Sequence, residues 1–207
     1  MVISIFPEGQ ELIGKGYRLI KRVIDFIISL LSLIFLSPLF LTLMALIKMT
    51  SPGPSIFSHR RVGMNGKLFT LYKFRTMDIT TPKYIPKPKE DDRRITKFGR
   101  FLRKSGLDEL PQLYNVLKGQ MSLVGPRPEM PFIAERYTEK EKERLRAKPG
   151  ITGLWQLSGK TTAPIHDNLE YDLSYIKNQS FILDLKILLK TLIFLIGNLG
   201  ISNYIDV

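Results

Sequence analysis

The sequence contains no cysteine and only 2 histidines in 207 residues. The first absence excludes disulfides, a thiol nucleophile and thiolate zinc sites, and it fits a reducing compartment. The second excludes a histidine-rich metal centre. The chain also lacks the P-loop, the GxGxxG dinucleotide pattern and the HExxH pattern of metalloproteases. The commonest thiol, zinc and nucleotide-loop chemistries are therefore excluded.

Acidic residues are also scarce, with 19 Asp and Glu against 31 Lys and Arg, so that the net charge is +12. Such a charge predicts anionic partners, which include nucleic acid, anionic lipid headgroups and phosphorylated small molecules. The length suffices for one globular core and an appendage.

One segment, residues 26–47, carries no charge and has about the length that a helix needs to cross a bilayer. Ser37 and Pro38 lie in its middle, where a proline breaks or kinks a helix. The segment is therefore either a kinked span or a re-entrant hairpin, and basic residues on both flanks favour re-entry. Asp25 is interpreted as an ion-pair partner of Arg22, one turn earlier.

The segment after the membrane element predicts a β-hairpin that turns at Asn65-Gly66. In its second strand, residues 68–75, a period of two places Lys73 and Arg75 on one face. Two neighbouring cations suit a phosphate, although solvated surface charges are the commoner explanation. A loop over 79–92 and a basic amphipathic helix over 93–104 follow, and the helix suits either an anionic membrane or solvent.

An acidic pair, Asp108 and Glu109, precedes Pro111, which a helix tolerates only in its first turn. The pattern predicts a helix from about Asp108 to Gly119 with Asp108 as its N-cap. At that position the helix dipole favours the ionised carboxylate and attracts phosphate. A purely capping role for Asp108 is the alternative.

Downstream, Arg127 lies between two prolines in residues 125–129, a stiff loop that suits either a phosphate clamp or a solvated arginine. A capping box of Thr138 and Glu141 predicts a solvated helix over 138–148. A tight glycine loop over 149–153 is able to approach a ligand. The apolar pattern of 181–199, which contains three charges, predicts an interfacial or core helix and not a second span.

Taken together, a series of short motifs resembles the bacterial sugar transferases that are monotopic polyprenyl-phosphate phosphoglycosyl transferases. The resemblance covers most of the chain. Its motifs are, in order, Lys21-Arg22 with Asp25, Ser37-Pro38, Ser51-Pro52-Gly53-Pro54, Arg61-Val62-Gly63 with Asn65-Gly66, Lys73-Phe74-Arg75-Thr76-Met77, Leu107-Asp108-Glu109-Leu110-Pro111-Gln112, Val124-Gly125-Pro126-Arg127-Pro128 and Pro149-Gly150-Ile151-Thr152-Gly153.

The resemblance implies transfer of a phosphosugar from a UDP-sugar to a membrane polyprenyl (undecaprenyl) phosphate with release of UMP. It also implies Asp108 as the nucleophile that carries the phosphosugar, Glu109 as its partner, and a required Mg²⁺ held by these two carboxylates. A re-entrant helix broken at Ser37-Pro38 is a further implied feature. The residues then expected to bind substrate are Lys73, Arg75, Arg103, Arg127, Glu129 and Lys160.

The resulting expectation is a mostly helical α+β fold in the bacterial inner membrane. Residues 1–16 would form an arm, 17–50 a re-entrant helix-break-helix, and 51–207 a catalytic domain on the cytoplasmic face with a β-hairpin and interfacial amphipathic helices. Anionic phospholipid is an expected partner, a homodimer is compatible, and nucleic acid is not expected. Gly106, His59 and Lys160 stand where the family commonly has serine or threonine, glutamine and arginine, which bears on substrate contacts.

Two other functions remain open. One is a basic membrane-binding or nucleic-acid-binding protein without catalysis, for which the charge-free membrane segment argues against nucleic acid. The other is the same transfer without a covalent intermediate, in which Asp108 acts as metal ligand or base.

Overall fold

The computed structural model describes residues 15–82, 92–158 and 168–198. It confirms a mostly helical α+β fold with a bent N-terminal helix pair, a β-hairpin and further helices. Nearly all of the arm expected over 1–16 lies outside the described residues, as does most of the loop expected over 79–92.

The N-terminal pair consists of α1, Lys15–Phe35, and α2, Ser37–Thr50, which meet at an angle of 62°. Pro38 has no amide hydrogen to donate to the carbonyl of Ile34. The hydroxyl of Ser37 donates to that carbonyl instead, at 2.8 Å. Ser37-Pro38 therefore forms the predicted break without leaving that carbonyl unsatisfied.

In the described part of the chain, no single helix has the length and apolarity to cross a membrane, whereas α1 and α2 together do. Much of their surface is apolar and exposed, as at Leu19, Phe35, Leu41 and Met49. So continuous an apolar surface is unusual on a water-exposed helix pair and suits lipid.

The polar residues of α1 attach it to the rest of the protein. Arg22 donates to the carbonyls of Val116 and Leu117 at 2.6 and 2.8 Å. Asp25 is buried and accepts a hydrogen bond from the amide of Leu123 at 3.1 Å. The predicted Arg22–Asp25 ion pair is therefore wrong, because each side chain satisfies backbone groups of the following domain instead.

The hairpin joins β1, Ile56–Val62, to β2, Leu68–Phe74, in an antiparallel pair. Asn65 and Gly66 both have positive φ, 56° and 74°, as a tight hairpin turn requires. The predicted turn is confirmed. The side chain of Asn115, in the helix Gln112–Leu117, bonds to β2 at the Thr70 carbonyl and the Tyr72 amide, and these bonds fix that helix on the sheet.

The basic helix α3 spans Lys97–Ser105, and its N-cap Thr96 accepts a hydrogen bond from the amide of Gly99 at 2.9 Å. It begins four residues later than the predicted start at Arg93, because Asp92 to Ile95 form a turn that Asp92 and Arg94 close by hydrogen bonds. The amphipathic character is confirmed, since Leu102 is fully buried.

The remaining elements surround the main apolar core. The capping box of Thr138 and Glu141 is confirmed, but the α-helix that it starts is short and continues as a 3₁₀ turn over Glu143–Arg146. Strands β3 and β4 pair in parallel. These elements are α4, Gln112–Leu117; β3, Ser122–Val124; α5, Pro131–Ala134; α6, Glu139–Lys142; β4, Gly150–Thr152; α7, Leu154–Leu157; α8, Leu169–Lys177; and α9, Phe181–Asn198.

The core lies between β2, α4, β3, α8 and α9, with Tyr175, Val116 and Met121 at its centre. The glycines of the loop predicted over 149–153 approach the backbone of Gly125 within this core, and strand β4 occupies most of the segment. Helix α9 confirms the predicted interfacial or core helix: it buries Ile187 and exposes apolar side chains such as Leu189 and Leu192 on its other side.

Candidate active site

The acidic pair Asp108 and Glu109 lies in a 3₁₀ turn, Leu107–Glu109, between α3 and α4. Gly106, with φ 71°, ends α3 in the left-handed conformation and reverses the chain into this turn. The turn brings the pair against the end of β2, where Lys73 is located.

The predicted N-cap role of Asp108 is wrong. Helix α4 begins at Gln112, and no side chain caps it. The amides of Glu109, Leu110 and Leu113 bond to main-chain carbonyls within the turn. The carboxylate of Asp108 is therefore not engaged by a helix N-terminus and faces cationic side chains instead.

Lys73 bridges the acidic pair. Its Nζ donates to Oε1 of Glu109 and lies 3.8 Å from Oδ2 of Asp108. Arg127 approaches from the other side, with Nη2 3.4 Å from the same Glu109 oxygen. Two of the predicted cations thus converge on the pair, from a strand and from the loop after β3.

The two carboxyl groups of the pair have pKa values shifted in opposite directions. Burial raises the pKa of Asp108, and the attraction of Lys73 opposes this without cancelling it. For Glu109, enclosure by protein atoms would also raise the pKa, but Lys73 and Arg127 outweigh it and lower the value to about 2. Glu109 is therefore fully ionised at neutral pH, and Asp108 is the member that protonates more readily.

Arg103 belongs to the same region. It extends from α3, and its Nε donates to the hydroxyl of Thr76 at 2.8 Å. Burial lowers the pKa of its guanidinium, while the negative charge of Asp108 acts in the opposite direction. Arg103 is therefore within electrostatic reach of the acidic pair.

Arg75 does not face the pair. Strand β2 ends at Phe74, so that the period of two does not continue to Arg75. Its guanidinium donates to the carbonyls of Pro52 and Ser51, the latter at 2.8 Å, and thereby closes the exit from α2. The side chain of Arg75, which is predicted to bind substrate, thus holds the backbone of the segment that follows α2.

Glu129 does not face the pair either. It is buried, with Oε2 3.6 Å from Arg144 and Oε1 3.9 Å from Arg61. Its remaining contacts include the amide of Met130 at 2.9 Å. Glu129 is thus a buried ion-pair partner, whereas Lys160 lies outside the described residues.

Two residues that sequence reasoning missed surround Arg127. Its guanidinium carbon lies 5.7 Å from the ring centroid of Trp155, within cation–π distance. The guanidinium of the buried residue Arg144 donates a hydrogen bond to the Arg127 carbonyl at 2.8 Å. Trp155 is the only tryptophan of the sequence, and this rarity could have marked it as a candidate site residue. Arg144 belongs to a run of charged residues that resembles a solvated helix, so no such indication exists for it in the sequence.

The acidic pair fits a Mg²⁺ ion. Mg²⁺ takes oxygen ligands and is usually held by one or two carboxylates together with substrate phosphates and water. Among the described residues no group of three His, Cys, Asp or Glu side chains forms a complete protein site. Asp108 and Glu109 therefore suit an ion that a bound phosphate helps to coordinate.

Comparison with known proteins gives consistent matches. The family model for bacterial sugar transferases matches residues 16–198. The undecaprenyl-phosphate galactose phosphotransferase of Salmonella typhimurium is 41% identical over 206 aligned positions, and the match covers 91% of this chain and 43% of that protein. The UDP-glucose:undecaprenyl-phosphate glucose-1-phosphate transferase of Klebsiella pneumoniae is 45% identical over 199 aligned positions, and the match covers 91% of this chain and 43% of that protein.

A shorter relative matches almost end to end. The exopolysaccharide production protein ExoY of Sinorhizobium fredii is 40% identical over 188 aligned positions, and the match covers 83% of each chain. The present chain therefore spans less than half the length of the two longer relatives, and most of the length of the short one.

Proposed function

Because the chain belongs to the bacterial sugar transferase family, we propose that it transfers a phosphosugar from a UDP-sugar to undecaprenyl phosphate, releasing UMP, as an early membrane step of polysaccharide assembly. The names of the Salmonella and Klebsiella relatives support the lipid acceptor, and the Klebsiella name supports a UDP-sugar donor.

One observation carries this proposal: an acidic pair is surrounded by the cations Lys73, Arg103 and Arg127. Both proposed substrates are phosphates, and cations of this kind bind phosphate oxygens and stabilise charge that develops during transfer. The bent apolar pair α1–α2 is attached to the domain that carries the site through hydrogen bonds of Arg22 and Asp25, and it suits an acceptor with a lipid tail.

The proposed chemistry consists of two displacements at one phosphorus atom. A carboxylate oxygen of Asp108 attacks the phosphorus that bears the sugar, and the bond from that phosphorus to the bridging oxygen breaks. UMP leaves with the electron pair. An oxygen of undecaprenyl phosphate then attacks the same phosphorus, the bond to Asp108 breaks, and the carboxylate is restored.

In this scheme Glu109 holds Lys73 and Arg127 beside Asp108, because its low pKa keeps it ionised. When bound, Mg²⁺ held by Asp108 and Glu109 would offset the negative charge of the diphosphate. Asp108 attacks only as a carboxylate, so its raised pKa makes the rate fall as the pH decreases through that pKa.

The decisive experiment measures UMP release from a panel of UDP-sugars with undecaprenyl phosphate and Mg²⁺. Asp108→Asn should lower the rate by at least about 1000-fold, because an amide oxygen is a poor nucleophile. Asp78→Asn, which changes an exposed aspartate, is the matched control and should retain the rate. Full activity of Asp108→Asn would contradict the nucleophile assignment.

A covalent intermediate separates this scheme from direct transfer. Incubation with labelled UDP-sugar alone should leave one phosphosugar on the peptide that contains Asp108, detectable by mass spectrometry. Transfer without such a peptide would favour Asp108 as metal ligand or base. Binding to anionic liposomes without UMP release would favour the non-catalytic alternative.

For the membrane arrangement, we propose that residues 17–50 enter and leave the inner membrane on its cytoplasmic face, with 51–207 as the catalytic domain. The chain has no native cysteine, so single-cysteine labelling is free of background. Arg18→Cys and Met49→Cys should both react with an impermeant maleimide from the cytoplasmic side, and Phe35→Cys at the bend should be shielded. Labelling of Arg18→Cys and Met49→Cys from opposite sides would instead indicate a kinked span.

A further inference from the structure

Arg144 is an almost fully buried guanidinium, with a side chain that is 1% exposed. Its Nε and Nη2 donate to Oδ2 of Asp172 at 2.9 and 2.6 Å, and Nη1 donates to the hydroxyl of Tyr137. Nη1 also lies 3.6 Å from Oε2 of Glu129. We call Glu129, Tyr137, Arg144 and Asp172 the Arg144 cluster.

The same guanidinium reaches the loop of Arg127. Its Nη2 donates to the carbonyl of Arg127 at 2.8 Å, and the ion pair with Glu129 is formed two residues further along. Pro128 between these two contacts, and Pro126 before them, restrict the backbone further. The loop is therefore held on both sides of Pro128 from its buried face.

The exposed face of the loop carries the Arg127 side chain. That guanidinium lies near Glu109, at 3.4 Å, and over the ring of Trp155, at 5.7 Å. Arg144 fixes the main chain of Arg127 on the buried face of the loop, and the side chain of Arg127 contacts the acidic pair on the exposed face. We propose that Arg144 is a positioning residue, which holds the backbone of Arg127 so that its guanidinium is directed at the acidic pair.

This inference rests on the proposed function, in which Arg127 binds a substrate phosphate. Arg144 is too deeply buried to touch substrate, so it acts only through Arg127. Small misplacements of a group that positions substrate reduce rates substantially, by about 100-fold per ångström in sensitive cases. The effect of a change at Arg144 should therefore depend on whether residue 127 is an arginine.

Lysine is the informative replacement for Arg144. It keeps the positive charge beside Asp172 and Glu129, and thus the charge balance of the cluster. It lacks the planar fork that directs separate N–H groups to Asp172 and to the Arg127 carbonyl. Arg144→Lys therefore loosens the loop without leaving the buried carboxylates unneutralised.

The test is a double-mutant cycle on kcat and KM for the UDP-sugar, with Arg144→Lys, Arg127→Lys and the double variant. Arg144→Lys should lower kcat/KM by about tenfold in the wild-type background. With Arg127→Lys it should lower kcat/KM by less than about twofold, because the group that it positions is already changed. Arg136→Lys, at an exposed position beside Tyr137, is the control and should retain the wild-type values.

A second readout does not depend on activity. Trp155 is the only tryptophan of the sequence, so its fluorescence reports on the guanidinium above its ring. Arg127→Lys should change the emission, Arg144→Lys should change it in the same direction, and Arg136→Lys should leave it unaltered. The thermal midpoint should fall equally for Arg144→Lys in both backgrounds.

Two results would overturn the positioning role. One is an equal loss of kcat/KM in both backgrounds, which indicates a general structural effect. The other is unaltered Trp155 emission in Arg144→Lys, which indicates that Arg127 has not moved. A wild-type protein that releases no UMP would contradict the proposed function alone, because the fluorescence comparison still tests the position of Arg127.

Discussion

The protein contains two neighbouring clusters of opposite charges that differ in their access to water. In the Arg144 cluster, the Arg144 and Asp172 side chains are 1% and 2% exposed. Around the acidic pair, Lys73 and Glu109 are 19% and 21% exposed, and Arg127 is 35% exposed. Both clusters combine an Asp and a Glu carboxylate with arginine.

The difference indicates how the same chemistry serves two purposes. The buried guanidinium of Arg144 directs its N–H groups to oxygens of the protein, so its charge maintains structure. The cations at the acidic pair retain solvent-exposed surface at which phosphate oxygens can bind. Arg127 connects the clusters, because its carbonyl belongs to one and its side chain to the other.

The largest expected effect on stability comes from breaking the buried cluster. Arg144→Met removes the cation between Asp172 and Glu129 and leaves both carboxylates buried. Removal of one partner of a buried ion pair costs about 3–5 kcal/mol. Denaturant titration in detergent micelles should show a loss of this size at neutral pH.

The pH dependence of that loss checks its cause. Burial already raises the pKa of Asp172 even though Arg144 opposes the shift, and without Arg144 the pKa should rise further. A carboxyl with a raised folded-state pKa destabilises the fold as the pH rises through that value. The deficit of Arg144→Met should therefore shrink as the pH falls toward 4. Arg136→Met, at an exposed site, should show little deficit, and a pH-independent loss would point to packing instead.

Much of the fold was predictable because its signals are local. Pro38 in an apolar stretch, Asn65-Gly66 between two strands, and the Thr138 and Glu141 capping box each determine backbone geometry within a few residues. Lys73 and Arg127 were each predicted to suit a phosphate, but their convergence on the acidic pair was not predicted. Nothing in the spacing of those residues brings them together.

Contacts that depend on burial and on backbone partners could not be predicted from the sequence. Arg75 and Glu129, which are predicted to bind substrate, direct their charged groups to other parts of the protein. Arg144 stands in a run of charged residues that resembles a solvated helix, and only tertiary packing encloses it. The amino-acid sequence gives the chemistry of a charged side chain but not its solvent exposure. Solvent exposure is what separates the two clusters.

A smaller effect tests whether the acidic pair is a site of chemistry and not a second structural cluster. The lowered pKa of Glu109 means that its carboxylate stabilises the fold at pH values above about 4.5, and that this contribution is lost as the pH falls toward about 2. At neutral pH, Glu109→Gln should therefore lower stability by about 2 kcal/mol, since Lys73 and Arg127 lose their shared partner.

Asp108 should behave in the opposite way. Its raised pKa means that the folded state favours the neutral acid, so that its carboxylate opposes folding at neutral pH. Asp108→Asn should raise the thermal midpoint at pH 7, and the gain should shrink as the pH falls toward the ordinary aspartate pKa, below which the carboxyl is protonated in both states. The variant would thus be inactive and more stable.

These two variants are compared at pH 7 and pH 4, with Glu135→Gln, which replaces an exposed carboxylate, as the control. A lower thermal midpoint for Asp108→Asn would mean that Lys73 stabilises the Asp108 carboxylate by more than burial costs it. A higher midpoint would mean that the fold retains an unfavourable carboxylate at Asp108, as the proposed nucleophile requires.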